Sequence, residues 1–232
     1  MSLPKIEHPL FDVTIPSTGE KVKFRPFTVK EEKILLIAQQ SEDSEQVVNS
    51  IKQIVNNCVQ GIDVDKLAMF DLEFIILSLR SKSVNNVIDF SVIDPETEER
   101  VNLSLNLDLV KVVYDEKHDK NIKIDDKSVF TMRYPSINEL KDIIDEPDNE
   151  EIIFKALVSC VDKLFYGDQV YDMKSYSYEE RSEFVESLDS SVLEKMKVFF
   201  ETMPKIRHEI DYTNANGNKK KFVIEGLDNF FI

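Results

Sequence analysis

The sequence predicts an α+β protein that is mostly helical and carries small antiparallel β-hairpins. Apolar residues recur every three or four positions over several long segments, a spacing typical of amphipathic helices. Shorter segments alternate apolar and polar residues on both sides of turn-forming residues, which indicates β-hairpins. The order of these patterns begins again in the second half of the chain. We therefore predict two similar units of strand, helices and hairpin, related by an internal duplication.

The first predicted unit covers residues 1–112. Its first helix begins at Thr28, whose hydroxyl can cap a free backbone N–H while Glu31 reaches back, as in a capping box. Its third helix is apolar over most of its circumference, so we expect it to be central and largely buried. In order, the predicted elements are a hairpin at residues 11–24, helices at residues 28–40, 47–60 and 71–83, and a hairpin at residues 87–105.

The second predicted unit, residues 130–232, follows a polar linker at residues 113–129 that has few apolar anchors. It starts with the same order of residues as the first: an arginine at a strand end, a proline, and a hydroxyl residue that opens a capping box. The two arginines are Arg25 and Arg133. We expect each to bind a helix-terminal carbonyl or a carboxylate and so to fix the strand against the helix.

A constant offset also aligns the helix that ends before Gly61 with a helix that ends at Gly167. In this alignment Cys160 corresponds to Ile54, and the apolar spacing predicts that the second helix continues through Cys160. The remaining predicted elements are an additional short helix at residues 177–188, a helix ending at residue 203, and a C-terminal hairpin with its turn at residues 214–217.

The charge balance excludes several classes of partner. Lysine and arginine number 29 against 44 aspartates and glutamates, which gives a net charge of −15. Such a surface repels phosphate backbones and anionic lipid, so we predict no nucleic-acid and no membrane partner. No apolar run approaches the ~18 residues that span a bilayer. Because the first residues do not resemble a signal peptide, we expect a cytosolic protein in which Cys58 and Cys160 are reduced core residues.

The residues that usually carry enzyme chemistry are dispersed. The five glycines are too far apart for a phosphate-binding loop, which needs several glycines close together. The three histidines, His8, His118 and His208, stand alone in sequence, whereas zinc hydrolases place two about one helical turn apart. We therefore predict a protein without catalytic residues, without a metal and without a cofactor.

Three blocks of sequence resemble the baseplate hub assembly proteins of T-even-type contractile-tailed phages. These blocks are VKFRPFTVKEEK at residues 22–33, FDLEF running into LRSKSV at residues 70–84, and residues 203–231. Some members of that family carry paired cysteines in the hairpin turns, as in a small zinc knuckle. Residues 91–94 and 213–216 contain no cysteine, so we predict no zinc here.

The resemblance implies a non-enzymatic assembly chaperone for the central hub of the tail baseplate. Its partners would be the phage baseplate hub and tape-measure proteins, and it would act in the host cytoplasm during assembly. The alternative is a structural subunit of the hub that is retained in the virion. The sequence leaves both open, because both need the same kind of partner surface.

Three features are candidates for that surface, each with a purely structural alternative. The apolar C-terminal segment either packs on its own core or docks on a partner. The basic cluster after the last turn either meets an acidic partner or discourages edge-to-edge aggregation. The acidic join between two helices either steers a basic partner or forms a solvated surface. The candidate residues are Leu227, Phe230, Phe231 and Ile232; Lys219, Lys220 and Lys221; and Asp145, Glu146 and Asp148.

Overall fold

The computed structural model describes residues 6–40, 44–140, 146 and 148–226. The chain divides into two compact units. Unit 1 comprises Met1–Val113 together with Lys205–Ile232, and unit 2 comprises Tyr114–Pro204. The chain thus leaves unit 1 once, forms unit 2, and returns to unit 1 for its last hairpin.

The elements follow one another in this order. The first part of unit 1 holds β1 (Phe11–Thr14), β2 (Lys21–Phe24), α1 (Val29–Gln39), α2 (Ser44–Cys58), α3 (Met69–Ser83), β3 (Val87–Ile93), β4 (Arg100–Asn106) and β5 (Lys111–Val113). Unit 2 holds β6 (Asn121–Lys123), β7 (Ser128–Met132), a helical turn at residues 137–140, α4 (Glu150–Ser159), β8 (Val161–Tyr166), β9 (Gln169–Asp172), α5 (Tyr178–Glu186) and α6 (Ser190–Glu201). The chain then completes unit 1 with β10 (Lys205–Thr213) and β11 (Lys219–Glu225).

Helix α3 lies at the centre of unit 1, as its apolar circumference predicts. Leu72, Ile75 and Ile76 are fully buried. The end of the same helix packs against both hairpins: Leu77 joins a core cluster with residues of β4, β10 and β11. Hairpin β10–β11 extends to a three-stranded antiparallel sheet through β5. A helix that is apolar on every side can therefore be stabilised by several elements at once.

Unit 2 is built on a four-stranded antiparallel sheet in the order β6–β7–β8–β9. The cross-strand row Ile122, Phe130 and Leu164 faces the core that α4, α5 and α6 cover. Successive side chains of a strand point to opposite faces, so the neighbouring row lies on the outer face of the sheet. The core of this unit is consequently on one side of the sheet only.

The prediction of a mostly helical chain is wrong. The described residues form eleven strands in four antiparallel sheets, and the protein is 40% helical against 30% strand. Two segments account for much of the difference. The residues after Cys160 form β8 instead of continuing a helix, and the predicted polar linker contains β6. Strand β8 is paired on both sides, with β7 and β9, and these pairings decide between a helix and a strand where local apolar spacing fits either.

The unit boundaries also differ from the predicted units at residues 1–112 and 130–232 and the linker at residues 113–129. The C-terminal hairpin belongs to unit 1, because β10 pairs with β5 with Lys205 opposite Val113. The apolar side of the hairpin packs against α3 in the same unit. This pairing joins segments about ninety residues apart, and local sequence patterns carry no signal for it.

Candidate partner-binding surfaces

A bidentate ion pair fixes the start of α1 in unit 1. The guanidinium of Arg25 donates to Glu31, from Nη2 to Oε1 at 3.0 Å and from Nη1 to Oε2 at 3.2 Å. The backbone N–H of Thr28 donates to the same carboxylate at 2.9 Å, which completes the predicted capping box. Burial alone would raise the pKa of Glu31, but the hydrogen bonds from Arg25 and Thr28 lower it to about 2. We call Arg25, Thr28 and Glu31 the unit 1 clamp.

The same arrangement occurs in unit 2 at Arg133, Ser136 and Glu139, which we call the unit 2 clamp. Arg133 donates two hydrogen bonds to Glu139, and the Ser136 N–H donates to it at 2.8 Å. Burial again opposes ionisation, and the hydrogen bonds from Arg133 and Ser136 bring the pKa of Glu139 to about 2. Arg133 makes two further bonds, to the carbonyls of Tyr134 at 3.2 Å and Ser159 at 2.8 Å. The predicted architectural role of both arginines is confirmed.

The clamps also show how the helices of the two units correspond. The Arg25 N–H donates to the carbonyl of Cys58, and the Arg133 N–H donates to the carbonyl of Cys160. Cys160 therefore corresponds to Cys58 and not to Ile54, and the predicted helix alignment is wrong by four residues, about one helical turn. Both cysteines are free and buried, as predicted, and burial raises the pKa of the Cys58 thiol to about 11 and that of Cys160 to about 12.

The predicted basic cluster lies on β11, beside the tips of the two hairpins of unit 1. Lys220 pairs with Glu96 at 2.6 Å and Lys221 pairs with Glu209 at 2.7 Å, whereas Lys219 is exposed. Two of the three charges are thus already matched within unit 1.

A buried carboxylate joins the tips of these hairpins. Asp94 directly follows β3. Its carboxylate accepts hydrogen bonds from the Tyr212 hydroxyl at 2.7 Å and from the Thr97 N–H at 2.9 Å. Asn214 lies at 3.4 Å on the same carboxylate. Hydrogen bonding by Tyr212 and the turn lowers the pKa of Asp94 to about 2. The two turns, which contain no cysteine, are therefore held together by hydrogen bonds.

The other predicted site residues fall in two groups. Glu146 accepts from the side chain of Asn149 at 2.8 Å, and Asn149 caps the start of α4. Asp148 is exposed beside them, where negative charge also favours a helix N-terminus. Five predicted residues, Asp145, Leu227, Phe230, Phe231 and Ile232, lie outside the described residues.

Sequence reasoning missed an exposed apolar row on the outer face of the unit 2 sheet. Val129 on β7 is opposite Phe165 on β8, which is opposite Val170 on β9. Phe165 is 38% exposed and Val170 is 60% exposed. We call these three residues the sheet face. Adjacent apolar residues at Val129-Phe130, Leu164-Phe165 and Val170-Tyr171 are the signal that would have found it, because in a strand they place one apolar side chain on each face. The helix prediction for the residues after Cys160 concealed that signal.

A groove of about 270 Å³ in unit 1 was also missed. On helix α1, Ala38 is buried, whereas Ile37 is exposed and Leu35 lines the groove. The groove lies between α1, the end of α3 and the start of β3. Its lining consists of Phe27, Glu32, Leu35, Leu36, Arg80, Val84, Asn85, Val87 and Ile88.

The described residues show no assembled metal site: none of their His, Cys, Asp and Glu side chains form a group of three or more that can hold an ion. His118 is bound on both ring nitrogens, by the hydroxyls of Thr202 and Tyr134 at 3.0 Å each. It therefore has a structural role in unit 2. Each helix in the described ranges is too short or too polar to cross a membrane.

These features define an α+β protein whose described residues include one exposed apolar row in unit 2 and one apolar groove in unit 1. The chain matches the family model described as T4 bacteriophage base plate protein over residues 8–232 and belongs to that family. The resemblance to T-even-type phage baseplate proteins is therefore confirmed. No curated protein and no solved structure matches the chain.

Proposed function

We propose that this chain is a non-enzymatic assembly chaperone for the central hub of the phage tail baseplate. It binds the hub and tape-measure proteins in the host cytoplasm and performs no chemistry on them. Membership of the baseplate family supports a role in this structure. The three sequence blocks that resemble hub assembly proteins support the more specific role, and the thiols, whose high pKa values keep them protonated, are poor nucleophiles.

The observation that carries partner binding is the sheet face of unit 2. In a chain with a net charge of −15, Val129, Phe165 and Val170 form a row without charge across three strands. The centres of protein interfaces are depleted of charge and enriched in aromatic residues. Lys123 on β6 is opposite Val129 and continues this row, and the next row on the same face of the sheet has Lys163 opposite Asp172, so charged residues border the three apolar ones. The row therefore has the composition of an interface centre with its rim.

Strand β9 adds a second means of recognition. It is the last strand of the sheet in the order β6–β7–β8–β9, and it carries Val170 of the sheet face. An edge strand can accept a strand from another protein through backbone hydrogen bonds, while neighbouring side chains select the partner. A hub or tape-measure segment with alternating apolar residues fits this edge.

Co-expression with the hub and tape-measure proteins of the same phage, followed by pull-down, tests this proposal. The wild type is expected to recover at least one of them, and Val170→Asp is expected to lose it, since a charge in an interface centre must be desolvated. Ile37→Asp is the matched control, because it places the same charge on an exposed apolar residue of unit 1 that does not line the groove. Recovery of neither protein by the wild type, or equal recovery by Val170→Asp, would contradict the proposal.

Quantitative mass spectrometry of purified virions separates the chaperone from the structural subunit. A chaperone leaves the completed hub, so the chain is expected to be absent from virions or present far below the amount of the hub protein. A stoichiometric amount relative to the hub protein would contradict the chaperone role and support a retained subunit.

A further inference from the structure

The turn before β9 determines which backbone groups of this strand point away from the sheet. Within the described residues β9 pairs only with β8, and a two-residue turn connects Tyr166 to Gln169. Gly167 has a φ of 56°, as the first position of a type II′ turn requires. The turn is closed by a hydrogen bond from the Gln169 N–H to the Tyr166 carbonyl, so the Gln169 N–H points toward β8.

Hydrogen bonding alternates along an antiparallel pair, so successive residues of β9 direct their backbone groups to opposite sides. The N–H and C=O of Tyr171, which is opposite Leu164, point toward β8. The N–H and C=O of Val170 and Asp172 point toward the free edge. A partner strand would therefore form its hydrogen bonds at Val170 and Asp172, and both of these side chains lie on the outer face of the sheet.

The strand already paired with β9 shows which side chains fit beside it. Lys163 of β8 is opposite Asp172, and Phe165 of β8 is opposite Val170. In the direction of the chain, β8 thus presents a basic residue and, two positions later, an apolar residue to its antiparallel neighbour. On its free side β9 offers the same carboxylate and the same apolar side chain, because Asp172 is exposed and Val170 is 60% exposed.

Distance decides which charge suits the free side. Adjacent strands lie about 5 Å apart, so a residue opposite Asp172 on the free side is about 5 Å from its backbone and about 10 Å from that of Lys163. The nearer, negative charge therefore dominates. The Asp172 carboxylate is also held in place, since it accepts from the Lys174 N–H at 3.1 Å, while the Lys174 ammonium pairs with Asp162.

We propose that the edge of β9 binds an antiparallel strand of a partner protein in which a lysine or arginine precedes an apolar residue by two positions. The basic residue lies beside Asp172 and the apolar residue lies beside Val170, so the apolar row of the sheet face is extended by one strand. This inference rests on the proposed function, because the natural source of the strand is the hub or tape-measure protein. It adds the charge, the order and the direction of the segment.

Two synthetic peptides of identical composition test this proposal on the full-length protein by NMR. Acetyl-TKTVT-amide has the basic residue before the apolar one, and acetyl-TVTKT-amide has the reverse order. We expect the first peptide to bind several-fold more tightly, to shift the Val170 and Asp172 amide signals and to slow the solvent exchange of these two N–H groups. The Tyr171 N–H, which already points toward β8, is expected to keep its exchange rate.

Asp172→Asn removes the charge but keeps an acceptor for the Lys174 N–H, so the local fold is expected to be retained. We expect it to weaken binding of the first peptide about two- to fivefold, as for an exposed ion pair, and to leave the second peptide unaffected. Glu194→Gln is the matched control, because it removes the same charge from an exposed residue of α6, which covers the opposite face of the sheet. It is expected to change neither affinity.

Equal affinities for the two peptides, an undiminished affinity in Asp172→Asn, or unchanged exchange of the Val170 and Asp172 N–H groups at millimolar peptide would overturn the proposal. Protection of these groups that rises with protein concentration in the absence of peptide would also overturn it, and would assign the edge to a second copy of the chain. The peptide titration needs neither phage protein, so its failure is distinguishable from a failed pull-down, which concerns the proposed function itself.

Discussion

The two clamps make nearly the same hydrogen bonds but differ in their exposure to water. The Glu31 side chain of the unit 1 clamp is 1% exposed, whereas the Glu139 side chain of the unit 2 clamp is 29% exposed. Arg133 has an additional acceptor in the Ser159 carbonyl. The comparison shows that identical local geometry does not imply identical energetic importance, because water can replace a lost partner only where it has access.

We expect the largest effect from Glu31→Ala. The substitution removes the bidentate partner of Arg25 and the acceptor of the Thr28 N–H, and the carboxylate that it removes is only 1% exposed. Breaking a buried ion pair by removing one partner costs about 3–4 kcal/mol of unfolding free energy. Urea unfolding followed by circular dichroism measures this loss. A loss below that of the corresponding unit 2 substitution would contradict the assigned difference between the clamps.

Acidification is expected to weaken both clamps. The pKa values of Glu31 and Glu139 are about 2, below the ordinary value of 4.5, so the ionised clamps stabilise the folded state above about pH 4.5. This contribution disappears as the pH falls through about 2, and for Glu31 it amounts to at most about 3 kcal/mol. Urea midpoints measured between neutral pH and about pH 2.5 should therefore fall less in Glu31→Ala than in the wild type. Parallel pH profiles for the two proteins would exclude Glu31 as a source of acid sensitivity.

Glu139→Ala is expected to have the smallest effect of the three. Arg133 retains the Ser159 carbonyl, and water can reach the vacated position. The expected loss of unfolding free energy is about 1–2 kcal/mol, from the capping bonds and a partly exposed ion pair. The same urea titration gives the ratio of the two substitutions directly. A loss equal to that of Glu31→Ala would show that exposure does not control the strength of the clamps.

Features determined by neighbouring residues were predicted from the sequence. The capping boxes at Thr28 and Ser136 depend on residues three positions apart, and the buried circumference of α3 depends on composition within one helix. The baseplate family was recognised because its sequence blocks are also short and continuous. Elements predicted from such local signals are present in the folded structure, because no distant segment favours a different local structure there.

Features determined by distant pairing were not predicted. The residues after Cys160 fit a helical spacing, but their pairing with β7 and β9 makes them a strand. The last hairpin joins unit 1 because β5 and α3 accept it there. The sheet face depends on the pairing of β8, and the groove depends on how α1 lies beside the end of α3 and the start of β3. Both candidate surfaces therefore became recognisable only in the folded chain.

The affinity of the purified protein for the hub or tape-measure protein that it recovers tests the central claim most directly. If the sheet face of unit 2 is the interface centre, Val170→Asp weakens binding at least about tenfold, or 1.4 kcal/mol, while Ile37→Asp leaves the Kd unchanged. An unchanged Kd for Val170→Asp, with its circular dichroism spectrum and unfolding midpoint equal to those of the wild type, would contradict the assignment of this face to partner binding.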